Sequence, residues 1–143
     1  MQLALEQARL AGADGEIPVG CVIITDNDHV VAIAANRRER DHDPTAHAEI
    51  LALRAAGASL GRWQLSGCRL YVTLEPCPMC AAALSQARLD QVIYGADDPK
   101  TGSLRSVLNL PASPALFHQP LVMGGILEAE CRQLLQDWFR ERR

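Results

Sequence analysis

The sequence predicts an α/β domain built on a mixed, partly parallel sheet, and three observations carry that expectation. Short apolar runs of strand length alternate with stretches of helical periodicity along the 143 residues. The polar turn Asp26-Asn27-Asp28 joins two β-branched segments in the manner of a hairpin. Between Leu70 and Tyr94 a strand, a helix and a second strand follow one another, a unit that crosses over right-handed and makes its strands parallel.

Each element has a local reason. Gln2 to Ala13 is amphipathic and reads as the first helix, and Val19 to Thr25 with His29 to Ala35 form the hairpin. Asp43 and Pro44 precede the apolar-rich stretch Ala46 to Ala56, which reads as a helix with Pro44 in its first turn, where a missing N–H costs nothing. His47 then lies in the opening turns. Leu70 to Leu74 reads as a short buried strand and Cys77 to Ala87 as a helix, since Pro76 and Pro78 are tolerated only at its start. A strand at Gln91 to Gly95, a long irregular loop, a short strand at Leu121 to Met123 and a helix from Leu127 to Arg140 complete the chain.

Composition narrows the class. With 48% hydrophobic and 22% charged residues and no visible linker or repeat, residues 1–143 are expected to form one domain with its own core. Glu6 and Arg9 in the first segment argue against a signal peptide or a membrane span. Five cysteines are an odd count with no disulfide framework, which points to a reducing compartment, the cytoplasm. Cys21, Cys68 and Cys131 sit in apolar surroundings and are expected to be small core residues.

Chemistry concentrates in two strings, His47-Ala48-Glu49 and Pro76-Cys77-Pro78-Met79-Cys80. Zinc takes imidazole nitrogen and thiolate sulfur, and three protein ligands leave a position open for water, whereas a closed structural site would want a fourth. His47, Cys77 and Cys80 are the expected ligands. Cys77 and Cys80 share the face of a helix start, where unpaired N–H groups and the positive dipole end favour the thiolate. The crossover places that start at the carboxyl edge of the sheet, where such folds bind ligands.

Glu49 remains unligated. Zinc brings the pKa of bound water toward neutrality, and a carboxylate beside that water can take its proton and deliver it to a ring nitrogen and then to a leaving amine. That sequence describes hydrolytic deamination. A redox Cys-x-x-Cys is the competing reading, but it lacks a preceding Trp and gives no reason for His-x-Glu upstream. A purely structural zinc has no use for Glu49, and ordinary buried cysteines leave the doubled proline unexplained. A binding module that keeps zinc without catalysis conflicts with Glu49 and the unfilled fourth position.

The combination of H-x-E with P-C-x-x-C is a known mark of zinc nucleobase deaminases. On these strings the chain resembles the cytidine-deaminase-like superfamily. Further segments are similar to the bacterial tRNA-specific adenosine deaminase family: Glu16-Ile17-Pro18-Val19-Gly20, Asn36 with His42-Asp43-Pro44-Thr45-Ala46-His47-Ala48-Glu49, Tyr71-Val72-Thr73-Leu74-Glu75-Pro76-Cys77, Gly95-Ala96 with Asp98 and Lys100-Thr101-Gly102, and Gly125-Ile126-Leu127.

That resemblance implies a three-layer α/β/α fold with a mixed sheet of about five strands flanked by helices. It also implies one Zn2+ per subunit on His47, Cys77 and Cys80, Glu49 as proton shuttle, and substrate contacts from Asn36, Asp98, Lys100 and His118. The implied partner is the anticodon stem-loop of a tRNA, of the arginine type, whose wobble adenosine becomes inosine, and the implied assembly is a homodimer. Ala81 to Leu84 are a candidate part of its surface. Glu75 is given a structural hydrogen-bonding role. The loop after Gly102 is shorter than in such relatives.

The formal charge of −3 is unlike an electrostatic nucleic-acid binder. Of fourteen basic residues only Lys100 is lysine, and arginines cluster at Arg37, Arg38 and Arg40 and at Arg140, Arg142 and Arg143, where planar forks suit phosphates and bases. Guanine deaminases share the His-Ala-Glu and Pro-Cys-Pro-Met-Cys elements, so a free base of purine salvage is the alternative substrate.

Overall fold

The computed structural model describes residues 1–143. In chain order it contains α1 (Gln2–Ala13), β1 (Gly20–Thr25), β2 (Val30–Ala35), α2 (Arg38–Asp41), α3 (Ala48–Leu60), β3 (Cys68–Leu74), α4 (Pro78–Gln86), β4 (Gln91–Ala96), a 3-10 turn (Leu110–Ala112), β5 (Leu121–Met123) and α5 (Glu128–Arg140). The five strands form one sheet in the order β2-β1-β3-β4-β5. β1 pairs antiparallel with β2 and β3, whereas β3–β4 and β4–β5 are parallel, so the sheet is mixed as expected.

Helices cover both faces. α3 packs on β1 and β2 and touches α4, while α1 and α5 meet each other and cover β1 to β4 from the opposite side. The larger core lies between the sheet and the α3/α4 layer, where Ala48, Ala52 and Ala56 of α3 face Ile23, Leu70 and Val72. Alanines four apart give α3 a smooth face and let it lie close to the strands. Cys21 and Cys68 belong to this core and Cys131 to the smaller one with Leu5 and Ala96, as small apolar residues. Ala81 and Leu84 are wholly buried within the chain, which removes them from the expected dimer surface, whereas Ala82 and Ala83 stay half-buried. No helix is long and apolar enough to cross a membrane.

Several boundaries differ from expectation. β3 begins at Cys68, earlier than Leu70, because Cys68 and Arg69 find partners in Thr25 and Ile24 across the sheet. Pro44 is not in a helix. The Asp43 carboxylate accepts the Thr45 N–H at 2.8 Å and the Thr45 hydroxyl at 2.7 Å, closing a side-chain turn that delays α3 to Ala48. The short helix α2 had no local signal, since its first N–H groups are met by Glu16 from far upstream in the chain.

The meeting of α1 and β1 depends on a glycine. A Cβ at Gly20 would stand 2.0 Å from the Ala4 carbonyl oxygen and 2.6 Å from the Ala8 nitrogen, both rigid backbone. Gly20→Ala is therefore expected to destabilise the protein by about 1–3 kcal/mol, the range for overpacking a tight contact. Urea unfolding monitored by circular dichroism measures this directly.

Candidate metal centre and active site

His47 and Cys77 occupy equivalent positions, each capping the amino end of its helix with extended backbone (φ −73°, ψ 152° for His47; φ −72°, ψ 174° for Cys77). Pro78 opens α4, where its fixed φ suits the helix and its missing N–H removes no bond. Cys80 follows in the first turn of α4 and is fully buried.

The two helix starts bring their donors together. His47 Nδ1 lies 3.6 Å from Cys77 Sγ and 3.5 Å from Cys80 Sγ, and all three ligand atoms fall within 4.8 Å of one another. Zinc bonds of about 2.0–2.1 Å to nitrogen and about 2.3 Å to sulfur, set at the tetrahedral angle, put N and S about 3.6 Å apart. The residues present fit zinc in both chemistry and spacing.

Hydrogen bonding polarises the trio. The contact with Cys80 lowers the Cys77 thiol to about 4, His47 adds to this, and burial works against it. Cys80 goes up, through its bond to Cys77 and through burial, and His47 goes up through its bond to Cys77. A thiol shifted toward its thiolate suits a site that binds a cation by releasing protons.

Glu49 sits in the first turn of α3 and is 4% exposed. Burial raises its carboxyl to about 7, against the bond from its own backbone N–H, and the charge of Cys77 adds to the rise. A carboxyl balanced near neutrality can both accept and return a proton. His47, Glu49 and Cys77 open onto a cavity of about 470 Å³ whose other walls include Asn36, Arg38, Asp98, Lys100 and Phe139.

The remaining expected residues divide. Asn36 is buried, with its Nδ2 donating weakly to Glu16 Oε2 at 3.5 Å and the Ile17 carbonyl at 3.4 Å, while its Oδ1 has no partner. An unmet buried acceptor costs about 1–3 kcal/mol, which marks a place where a ligand can supply the missing donor. Asp98 shapes its own loop by accepting the N–H groups of Lys100 and Thr101 at 2.9 and 3.3 Å and the Thr101 hydroxyl at 2.6 Å. Lys100 stays exposed at the wall.

His118 is elsewhere. Its Nε2 donates to the Leu89 carbonyl at 2.6 Å, beside the starts of β4 and β5. A loop that feeds a parallel strand must return to the amino edge of the sheet, opposite the site, so His118 does not join this pocket.

Sequence reasoning did not single out Glu16. This buried carboxylate accepts the Arg40 N–H at 2.8 Å and the Glu39 N–H at 3.3 Å, and so holds α2 against the pocket beside Asn36. Its only trace in the sequence was an acidic residue directly before Ile17-Pro18-Val19.

Comparison with known proteins agrees with this geometry. Residues 1–96 match the model of the cytidine and deoxycytidylate deaminase zinc-binding region. The tRNA-specific adenosine deaminase of Agrobacterium fabrum is 46% identical over 143 residues, all of this chain and 93% of that protein. A structure from a study of A-to-I editing by tRNA:A34 deaminases at the wobble position of transfer RNA superposes with a TM-score of 0.92 at 46% identity, covering 94% of this chain and 97% of that one. A guanine deaminase from Bacillus subtilis superposes with a TM-score of 0.65 at 31% identity, covering 97% of this chain and 90% of that one.

Two variants separate the roles at the centre. Cys80→Ala is expected to purify with less than about a tenth of the wild-type zinc, because a two-ligand remnant binds poorly. Glu49→Ala is expected to keep full zinc and to lose about 10²–10⁴-fold in turnover, the range for a missing acid–base group. Metal analysis by atomic emission alongside ammonia release distinguishes the two.

Proposed function

The chain belongs to the cytidine and deoxycytidylate deaminase zinc-binding family, and on that footing we propose that it deaminates adenosine to inosine at the wobble position of a tRNA anticodon, that of the arginine tRNA. The observation that carries the chemistry is the meeting of His47, Cys77 and Cys80 with the unligated Glu49 on one pocket wall. The relatives' tRNA substrate supports the choice of base.

His47, Cys77 and Cys80 would hold the zinc, which when bound would make water nucleophilic at neutral pH. The chain's own groups do the rest. Asn36 lines the pocket, and a turn of its amide brings the enclosed, partnerless Oδ1 to a donor on the purine edge and orients the ring. Glu49 receives the first proton of the attacking water and gives it to N1 as the C6–O bond forms, then takes the second from the new C6 hydroxyl and passes it to the exocyclic amine as the C6–N bond breaks. Water enters and ammonia leaves, so atoms and charge balance. The buried wall around Glu49 keeps this exchange local.

Anticodon loops are single-stranded, and turning a base out of such a stack costs a few kcal/mol at most. Arg38 and Lys100 are the cations at the pocket wall, among Asp97 and Asp98, and phosphate contacts there rest on these two side chains. A homodimer in the cytoplasm is the assembly and compartment we propose. Val107, Leu108, Leu121 and Met123 are large apolar side chains left exposed on the single chain, which is consistent with a covering partner.

The deciding experiment incubates the zinc-loaded protein with an arginine-tRNA anticodon stem-loop carrying wobble adenosine, and with free guanine in parallel. Inosine in the RNA with guanine untouched is the expected result. Ammonia from guanine with the RNA unchanged would move the protein to purine salvage, the reading favoured by its likeness to guanine deaminase. Asn36→Ala is expected to lower kcat/KM on the RNA about tenfold, the effect of one hydrogen bond to the base.

A further inference from the structure

Glu75 follows β3 in the link to α4 and is 1% exposed. The residue lies at the edge of the pocket, and its carboxylate is engaged by donors of the loop that follows β4. Oε1 accepts the N–H groups of Leu104 at 3.2 Å, Arg105 at 2.7 Å and Ser106 at 2.9 Å. Oε2 accepts the Asp98 N–H at 3.1 Å and the Ser106 hydroxyl.

Three successive backbone N–H groups on one oxygen form an anion-binding nest of the kind that elsewhere holds phosphate. Here the anion is built into the chain. Both ends of the loop, Asp98 and Leu104 to Ser106, bind the same carboxylate, so the segment between them is forced into a closed turn. Gly102 lies against it so tightly that a Cβ there would stand 2.3 Å from Oε2. The Ser103 N–H donates to the Pro76 carbonyl at 2.9 Å, tying the turn to the same link. Lys100 and Asp98, both on the pocket wall, ride on this turn.

We propose that Glu75 is a positioning residue that sets substrate affinity, acting as an internal anion that folds the 98–106 loop over the pocket and holds Asp98 and Lys100 where substrate meets them. The assignment rests on the tRNA-deaminase reading for its choice of substrate. It ties the strand that delivers Cys77 to the loop that meets the RNA through one carboxylate.

The test compares the zinc-loaded wild type with Glu75→Gln, which keeps the shape and removes the charge, and with Gly102→Ala, which drives a methyl group into the carboxylate. Zinc content, kcat and KM on the anticodon stem-loop, and amide hydrogen exchange over residues 98–106 are read together. Both variants are expected to keep full zinc, to exchange faster in this loop, and to raise KM about tenfold while kcat changes less than about threefold, as for the loss of hydrogen bonds to a charged acceptor.

An unchanged KM, or a fall in kcat with KM and loop exchange at wild-type values, overturns the proposal. If Glu75→Gln fails to fold, Ser106→Ala removes one donor only, and a KM increase with zinc intact supports the same conclusion while none overturns it. If the wild type leaves the RNA unchanged, the functional reading fails, and loop exchange in the variants still decides whether Glu75 holds the turn.

Discussion

A tetrahedral zinc requires its nitrogen and sulfur donors about 3.6 Å apart, and the chain supplies them from two helix starts that are distant in sequence. Everything else in the fold serves that meeting. α3 and α4 must lie close on one face of the sheet, which the small residues Ala48, Ala52, Ala56 and Ala81 permit. The links into both helices must present an extended residue at the cap, and a proline directly behind Cys77 together with the Asp43 turn ahead of His47 arranges this. The parallel pairing of β3 with β4 then puts the converging caps at the carboxyl edge.

Around that edge the usual rule of an apolar interior is broken repeatedly. Glu16, Asn36, Glu49, Glu75 and Ser103 are all buried. The cost of burial is met in more than one way. Glu16 and Glu75 are satisfied by backbone N–H groups, so that hydrogen bonds from Ser106, Asp98 and Arg105 outweigh burial and hold the Glu75 carboxyl below its ordinary range. Glu49 is left to move toward neutrality, and Asn36 keeps an acceptor unmet. Two of these side chains are held by donors and shape the walls, and the third, Glu49, is the one we propose to move protons. The same residue type takes opposite roles because one is surrounded by donors and the other by apolar surface and a thiolate.

Much of this was legible in the sequence. The boundaries of α1 and β5 agree with their local patterns, because amphipathic period and β-branched runs are near-neighbour properties. The ligand trio was legible because metal chemistry admits few residue types at few spacings, whereas His47 was expected within a helix from Ala46 and stands instead at its cap, because the Asp43–Thr45 turn delays α3. The short helix α2, the early start of β3 and the position of His118 were not legible, since each depends on a partner from a distant segment: Glu16, β1 and Leu89 respectively.

The sequence by itself determined the chemistry of this protein: two thiols and an imidazole, one spare carboxylate and the alternation of strands and helices are covalent facts or follow from local periodicity. Only the tertiary structure decided which polar residues meet. It brought Asn36 beside Glu49, removed His118 to the opposite edge, spent Ala81 and Leu84 on the core, and wrapped the 98–106 loop around Glu75. The reason is physical: a buried charge is stabilised by whichever donors the folded chain brings within about 3 Å, and that distance is not a property of sequence separation.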